Sequence, residues 1–314
     1  MTIDPKIAAA IQIGRDRAEQ SLARRRVVRD KRARALAEVH SPIQVNIQSL
    51  GPDGVQHLAS HTSAGYLVAL GDSWFEYPFG DDILNGLEAR GYDIESAAHH
   101  GDRLEVMAYH GGQVDEFAAC IEKIKQHGNT PKAVLVSGGG NDIVADDFGL
   151  LLNSAVSPIG GWNDEILDGL INERVQTSYR FLFTMINTIC DVEVGHLLPI
   201  VFHGYDYLVP DGRGILFGWL AGPWLRPGFH EKNFPDLLTN RGMMMQLIDR
   251  LNQMLSALAS DGSFTNLHYL DLRDTLSNDL TGGKYKQSWT NELHPTNEGF
   301  DALAEKFAML IATL

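Results

Sequence analysis

The sequence predicts an α/β fold in which helices cover both faces of a five-stranded parallel sheet. Five short strand-like runs alternate along the chain with segments of helical periodicity. The first run is apolar throughout, which is typical of a strand buried on both faces. Polar or glycine-rich residues directly follow several runs, where open parallel sheets place their ligand sites. The predicted strands lie near 66–70, 92–97, 132–136, 197–203 and 266–270.

The helical segments connect these strands. Crossover connections between parallel strands are right-handed. Helical connections of this kind place helices on both faces of the sheet and predict a doubly wound, flavodoxin-like sandwich of three layers, α/β/α. The chain has 314 residues, 44% hydrophobic and 21% charged, which is the composition of a globular protein with a substantial core. The helices are predicted over 82–90, 114–127, 164–188, 243–259 and 297–313.

Two segments precede this body. Residues 1–40 predict a basic helical arm, since ten Lys or Arg stand against five Asp or Glu and neither Gly nor Pro occurs over 15–40. Three interpretations remain open: a solvated or partner-seeking arm, a binder of anionic surfaces, and partial disorder. The narrow apolar face favours the first, and self-association through the arm is one expectation. Residues 41–65 predict a β-hairpin.

Charge and cysteine content narrow the classes of function. Beyond residue 40 the chain carries 16 Lys or Arg against 35 Asp or Glu, a net charge of −19 within a total of −14. We expect no nucleic-acid ligand, because phosphate contacts need clustered basic residues. Cys120 and Cys190 match no metal or redox spacing. With no secretory signal or membrane-spanning run visible, we expect a cytoplasmic protein with reduced thiols, and a mature secreted form is the alternative.

Four short motifs carry residue types that suit acyl transfer. Gly71-Asp72-Ser73 follows the first predicted strand, Gly101 the second, and Gly139-Gly140-Asn141-Asp142 the third, while His294 precedes the last helix. A serine nucleophile needs a base, and donors must face the oxyanion that forms. His294 is the best-placed base, and the amide of Asn141 donates without charge. The chain has no G-x-S-x-G elbow, phosphate loop or dinucleotide fingerprint.

The order of these motifs resembles that of the SGNH hydrolases, also called GDSL esterases/lipases. The resemblance covers 66–314 as one hydrolase domain and implies the order of its strands. It also implies a carboxylic ester hydrolase that works through an acyl-enzyme on a small-molecule ester, without metal or cofactor. Ser73 would be the nucleophile and His294 the base. The oxyanion hole would combine the backbone N–H groups of Ser73 and Gly101 with the side chain of Asn141.

The departure from the family pattern lies at Asn291, where SGNH hydrolases usually carry an aspartate that orients the histidine. A neutral amide can orient an imidazole but cannot stabilise an imidazolium as a carboxylate does. Three alternatives remain: Asn291 orients His294, Glu292 serves as the acid, or a backbone carbonyl holds the ring. We favour Asn291 or the backbone, because Glu292 would have to bend around its own backbone.

Residues 204–238 interrupt the alternation of strands and helices with four prolines and several aromatic residues. An irregular segment of this length is uncommon unless it forms a lid or binding loop. A loop that packs its aromatics on its own core is equally compatible with the composition. As a lid, the segment would favour an acyl or aryl group over a bare acetyl.

Two further functions stay open because of Asn291. The chain could be a binding or scaffold protein with weak or lost turnover, or an acyltransferase to an alcohol other than water. Among other polar residues, His99 and His100 are predicted to be loop histidines, with a place at the border of the site as the alternative. His203 ends the fourth predicted strand and is a candidate to reach the cleft, while Asp72 is expected to brace the turn before Ser73.

Overall fold

The computed structural model describes residues 5–38, 63–144, 147–215, 218 and 220–314. The predicted β-hairpin at 41–65 lies, except for its last residues, outside this part of the chain. The strands are β1 (Gly65–Leu70), β2 (Tyr92–Ser96), β3 (Pro131–Val136), β4 (Leu152–Asn153), β5 (Gly161–Trp162), β6 (Ile200–His203) and β7 (Leu267–Leu270). The α-helices are α1 (Pro5–Glu38), α2 (Ile83–Glu88), α3 (Leu104–His110), α4 (Gly112–Gln126), α5 (Gly140–Ile143), α6 (Asp164–Asp168), α7 (Gln176–Val194), α8 (Arg226–Glu231), α9 (Leu237–Ser260) and α10 (Asn297–Ile311).

One five-stranded parallel sheet forms the centre of the molecule, with strand order β2-β1-β3-β6-β7. This is the flavodoxin-like order, and it confirms the predicted fold class. The chain reverses its direction of winding between β1 and β3. A crevice opens at such a switch point, outside the carboxyl ends of the two strands. The segments 71–73 and 137–142 leave β1 and β3 at this crevice.

Helices cover the sheet, so its central strands are apolar and buried. The last four residues of both β1 and β3 are buried, as is all of β6, whereas the edge strand β7 is only half-buried. The helix α4 packs on β1 and β2, α2 pairs with α10, and α9 packs on β7. The strand predictions are confirmed to within a few residues, because buried parallel strands have a strong apolar signal.

The helix α1 is helical as predicted, but its described side chains do not behave as a solvated arm. Ala10, Ala18 and Leu22 are buried against the body. Gly14 lies so close to α7 that a Cβ there would meet the carbonyl oxygen of Phe181 at 2.9 Å. The helix therefore adds an outer layer on α7, and the expectation of a solvated arm is corrected by this packing.

Three other elements differ from the sequence-based expectations. The helix predicted over 164–188 consists of α6, a π-helical segment at Gly169–Val175, and α7, which continues to Val194. The seven-residue helix α3 is too short to show a helical period and was not predicted. The insertion 204–238 contains α8, and its Phe229 packs at 5.2 Å from Phe148 between ring centroids. Phe229 thus belongs to the main hydrophobic core of the molecule, and Phe234 packs against it.

Two observations concern the expected location and redox state. Within the described ranges, no helix combines the length and apolarity needed to cross a bilayer. Cys120 and Cys190 are free thiols, and burial raises their pKa to about 11 and about 12 respectively. Thiols with such a high pKa are poor nucleophiles, so neither is a candidate for catalysis.

Candidate active site

Ser73 lies in a turn that directly follows the buried end of β1. The buried carboxylate of Asp72 braces this turn: its Oδ1 accepts the Trp74 backbone N–H at 3.0 Å and the Ser137 hydroxyl at 2.7 Å. Its Oδ2 accepts the hydroxyl of Tyr205. Asp72 therefore fixes the turn through local bonds, as expected, and it joins the turn to the residue that follows β3.

His294 lies within hydrogen-bond distance of this serine. Its Nε2 is 2.8 Å from the Ser73 Oγ, although 221 residues separate the two. The loop that carries His294 is closed by a bridge between Trp289 and Pro295. The indole N–H of Trp74 donates to the Leu293 carbonyl at 3.1 Å, so that the serine turn and the histidine loop are also joined beside the pair.

Asn291 determines which nitrogen of His294 carries the proton. Its Oδ1 accepts the backbone N–H groups of Leu293 and His294, both at 2.9 Å, and lies 3.1 Å from the His294 Nδ1. Two backbone donors can face only the oxygen of the amide, so this orientation of Asn291 is fixed. The ring must then donate from Nδ1. Its Nε2 is left with a lone pair, which accepts the Ser73 hydroxyl.

Aromatic rings enclose the imidazole. Tyr77 stacks on it with centroids 4.5 Å apart and planes at 22°, and Trp224 from the insertion presents an edge at 6.0 Å. Burial lowers the pKa of His294 to about 3. The imidazole is therefore neutral, and available as a base, throughout the neutral pH range.

Glu292 points away from this pair and has a different set of partners. Its buried carboxylate accepts four backbone N–H groups of the insertion, at 2.7–3.1 Å. Burial raises the pKa of this carboxyl. Among the described residues its side-chain bonds all go to the insertion, so Glu292 attaches that segment to the histidine loop. The donors are the N–H groups of Gly212, Trp224, Leu225 and Arg226.

The three expected oxyanion donors differ in how far the structure brings them together. Ser73 and Asn141 line the same cavity. Asn141 uses one Nδ2 hydrogen on the Asp102 carbonyl at 2.9 Å, which leaves the second hydrogen for a ligand. Gly101 occupies a turn with φ of 80°, where glycine is favoured, but it does not line that cavity. Its place among the donors stays a prediction.

Gln113 is a residue of the site that sequence reasoning missed. This buried side chain of α4 accepts the Gly71 N–H at 2.9 Å and donates to the Gly71 carbonyl at 2.9 Å and to the Asp102 carboxylate at 2.7 Å. It thereby joins the serine turn to the turn that holds Gly101. A glutamine in the first turn of an amphipathic helix carries no sequence signal for such a role.

The remaining histidines have other environments. His203 is fully buried, stacks on Trp74 at 5.6 Å and does not line the cavity, so this candidate does not reach the cleft. His99 and His100 are exposed and pair with Glu116 at 2.9 Å and Glu76 at 3.3 Å. Within the described segments, no three His, Cys, Asp or Glu side chains are grouped as metal ligands would be.

Neither a family model nor a curated protein sequence matches the chain. A search of solved structures finds similarity to a Streptococcus pneumonia protein provisionally described as a platelet activating factor, at 16% identity over 81% of this chain and 86% of that one, with a TM-score of 0.46. A GDSL-like lipase from Bacteroides thetaiotaomicron matches at 13% identity over 79% and 88%, with a TM-score of 0.37. A catalytic mutant of an acetylxylan esterase from Geobacillus stearothermophilus matches at 15% identity over 79% and 94%, with a TM-score of 0.44.

Proposed function

We propose that the protein is a serine hydrolase of the SGNH type, which cleaves carboxylic esters through an acyl-enzyme. The observation that carries this proposal is the 2.8 Å contact between the Ser73 Oγ and the Nε2 of a neutral His294. A hydroxyl paired in this way can lose its proton to the ring as it attacks a carbonyl carbon. The four motifs, brought to one edge of a flavodoxin-like sheet, support the same proposal.

The reaction follows from the roles of these groups. The Ser73 Oγ attacks the ester carbonyl, its proton passes to Nε2, and the carbonyl oxygen becomes an oxyanion facing Asn141 and the backbone N–H of Ser73. The tetrahedral adduct collapses, and Nε2–H protonates the departing alkoxide. Water then attacks the acyl-enzyme and gives its proton to Nε2. The second collapse returns that proton to Ser73 and releases the carboxylic acid.

The site supports this cycle without a carboxylate beside the histidine. Asn291 supplies the orientation and the tautomer that the family aspartate supplies elsewhere, through an oxygen held by two backbone N–H groups. The stacked ring of Tyr77 lies within the distance at which an aromatic face attracts a cation, and so favours the imidazolium. His294 is therefore correctly oriented as a base, but its protonated form is less strongly stabilised than it would be beside a carboxylate.

Labelling by a fluorophosphonate, together with hydrolysis of p-nitrophenyl acetate, tests the proposal. We expect the wild type to be labelled and to turn over the ester, and Ser73→Ala and His294→Ala to lose both properties. Ser260→Ala is the matched control, because this serine is exposed at the end of α9. Labelling and turnover that persist in Ser73→Ala would refute the assignment of the nucleophile.

A binding or scaffold role with weak turnover is the second candidate. The neutral Asn291 beside His294 favours it, because the imidazolium lacks a counter-charge. Under this alternative the wild type stays unlabelled at concentrations and times at which a serine esterase reacts completely. The same labelling experiment therefore separates the two functions.

A further inference from the structure

A small cavity opens beside Ser73 in the crevice between β1 and β3. The serine and the amide of Asn141 lie on its polar side. Its apolar side includes the rings of Trp74 and Tyr205 and the buried aliphatic side chains of Ile143, Val144, Leu208, Ile248 and Leu293. The segment after β3, the insertion, α9 and the histidine loop therefore all contribute to one wall next to the serine hydroxyl.

The volume of this cavity determines how large an acyl group can fit beside Ser73. This volume is about 20 Å³. Roughly 10–15 Å³ is the least that holds one water molecule, so the cavity has room for one or two groups of the size of water or methyl. Its walls are packed core: Ile248 and Leu208 are 0% and 4% exposed. Close-packed interiors of this kind accommodate an added methylene only at a cost in free energy.

We propose that this cavity is the acyl-binding pocket and that it admits acetyl while excluding longer acyl chains. Ile248 and Leu208 are the specificity-determining residues, since they line the pocket from two separate elements. The proposal rests on the proposed esterase function and names the substrate class of that site. It replaces the sequence-based preference for a longer acyl or aryl group with one for a bare acetyl.

The size of the effect follows from how hydrophobic pockets discriminate between chains. One methylene too many in a filled pocket typically costs a factor of roughly 10–200 in kcat/KM. Ile248→Ala removes branched carbons from the wall and should make room for a longer chain. Leu208→Ala should do the same from the side of the insertion. Both variants should lower the preference for acetate by raising activity on butyrate.

The test measures kcat/KM on the p-nitrophenyl esters of acetic, propionic, butyric and hexanoic acid. We expect the wild type to lose at least about tenfold from acetate to propionate and more at butyrate. Ile248→Ala and Leu208→Ala should raise the butyrate-to-acetate ratio at least about tenfold. Leu251→Ala is the matched control: it is buried on the same helix α9 but does not line the cavity, so it should leave the ratio unchanged.

The outcomes separate this proposal from the function on which it rests. A wild type that hydrolyses hexanoate as fast as acetate keeps the esterase function and overturns the acyl pocket. The same holds if Leu251→Ala changes the chain-length profile as much as Ile248→Ala does. A wild type that hydrolyses none of the esters, and is not labelled at Ser73, overturns the esterase function and the pocket with it. If Ile248→Ala does not fold, the profile of Leu208→Ala decides.

Discussion

A carboxylate beside a catalytic histidine orients the ring and stabilises its protonated form. The hydrogen bonds of Asn291 show that it performs the first of these functions. In the serine-protease example of an aspartate-to-asparagine exchange, the amide offers the wrong tautomer, and the rate falls by about 10⁴. Here two backbone N–H groups hold the amide oxygen toward the His294 Nδ1, so the tautomer is the productive one. What remains missing is a negative charge beside the imidazolium.

Asn291→Asp should therefore raise activity and move its acid limit. The neutral imidazole is the active form, and burial holds its pKa at about 3, so the wild type should keep kcat/KM at pH values well below 6.5. The same N–H donors would stabilise the ionised form of an aspartate at 291. Its negative charge would raise the pKa of His294, so the pH below which activity falls would be higher than in the wild type. Because the tautomer is already correct, we expect a gain in kcat of about 10–10², smaller than the 10⁴ of the protease case.

The measurement is the pH dependence of kcat and kcat/KM for both proteins with one ester. If activity falls at the same acidic pH in both proteins, the charge of the aspartate does not act on the ring of His294. A fall in kcat with an unchanged fold would show that the imidazolium gains nothing from a charge at this position.

At the residue scale, sequence reasoning could find Ser73, Asn141, Asn291 and His294, because each stands in a short motif at the end of a predicted element. Gln113 could not be found in this way. Its role depends on partners 11 and 42 residues away, which only the packing of α4 on β1 brings within reach. A buried polar side chain has no sequence signature until its partners are known.

At the scale of elements, Glu292 is the side chain with the most bonds between the histidine loop and the insertion. Four backbone N–H groups converge on its carboxylate, and Trp224, one of these donors, also presents its ring edge to His294. The sequence left two interpretations of the insertion equally open, since prolines and aromatics serve a lid and a self-packed loop alike. The aromatics at 229 and 234 pack on the main core of the molecule, while Glu292 and Arg213 join the segment to the histidine loop.

Glu292→Gln should accordingly affect stability more than chemistry. An amide has one acceptor oxygen, so some of the four N–H groups would lose their partner, at roughly 1–3 kcal/mol for each buried group left unpaired. We expect a lower free energy of unfolding in urea, while kcat per labelled serine stays within about tenfold of the wild type. The exposed Glu305→Gln on α10 serves as the control. A collapse of kcat at unchanged stability would instead make Glu292 the acid of the site.

At the scale of the whole molecule, the strand order could be expected only through the resemblance to the SGNH hydrolases, whereas the place of α1 could not be expected at all. Its composition is that of a charged surface helix, and its apolar residues are few. The structure shows how these few apolar residues are enough to pack α1 against the body. Small residues allow close approach to α7, and Arg25 reaches the Glu122 carboxylate with two N–H groups at 3.1 and 2.7 Å. Part of the positive charge of the N-terminus is thus paired within the same acidic chain, and self-association through α1 stays a prediction.

The outer layer formed by α1 makes a prediction about the stability of the whole molecule. Ala18 is fully buried against the body, so Ala18→Asp would place an unpaired charge in that contact. We expect the free energy of unfolding to fall by about 2–4 kcal/mol, because a buried polar group without a partner costs that much. Ala9→Asp on the exposed face of the same helix is the matched control and should change it by no more than about 0.5 kcal/mol. Urea unfolding followed by both circular dichroism and tryptophan fluorescence measures the effect. If Ala18→Asp is as stable as Ala9→Asp, α1 contributes no packing to the fold, and it behaves as the solvated arm that its composition predicts.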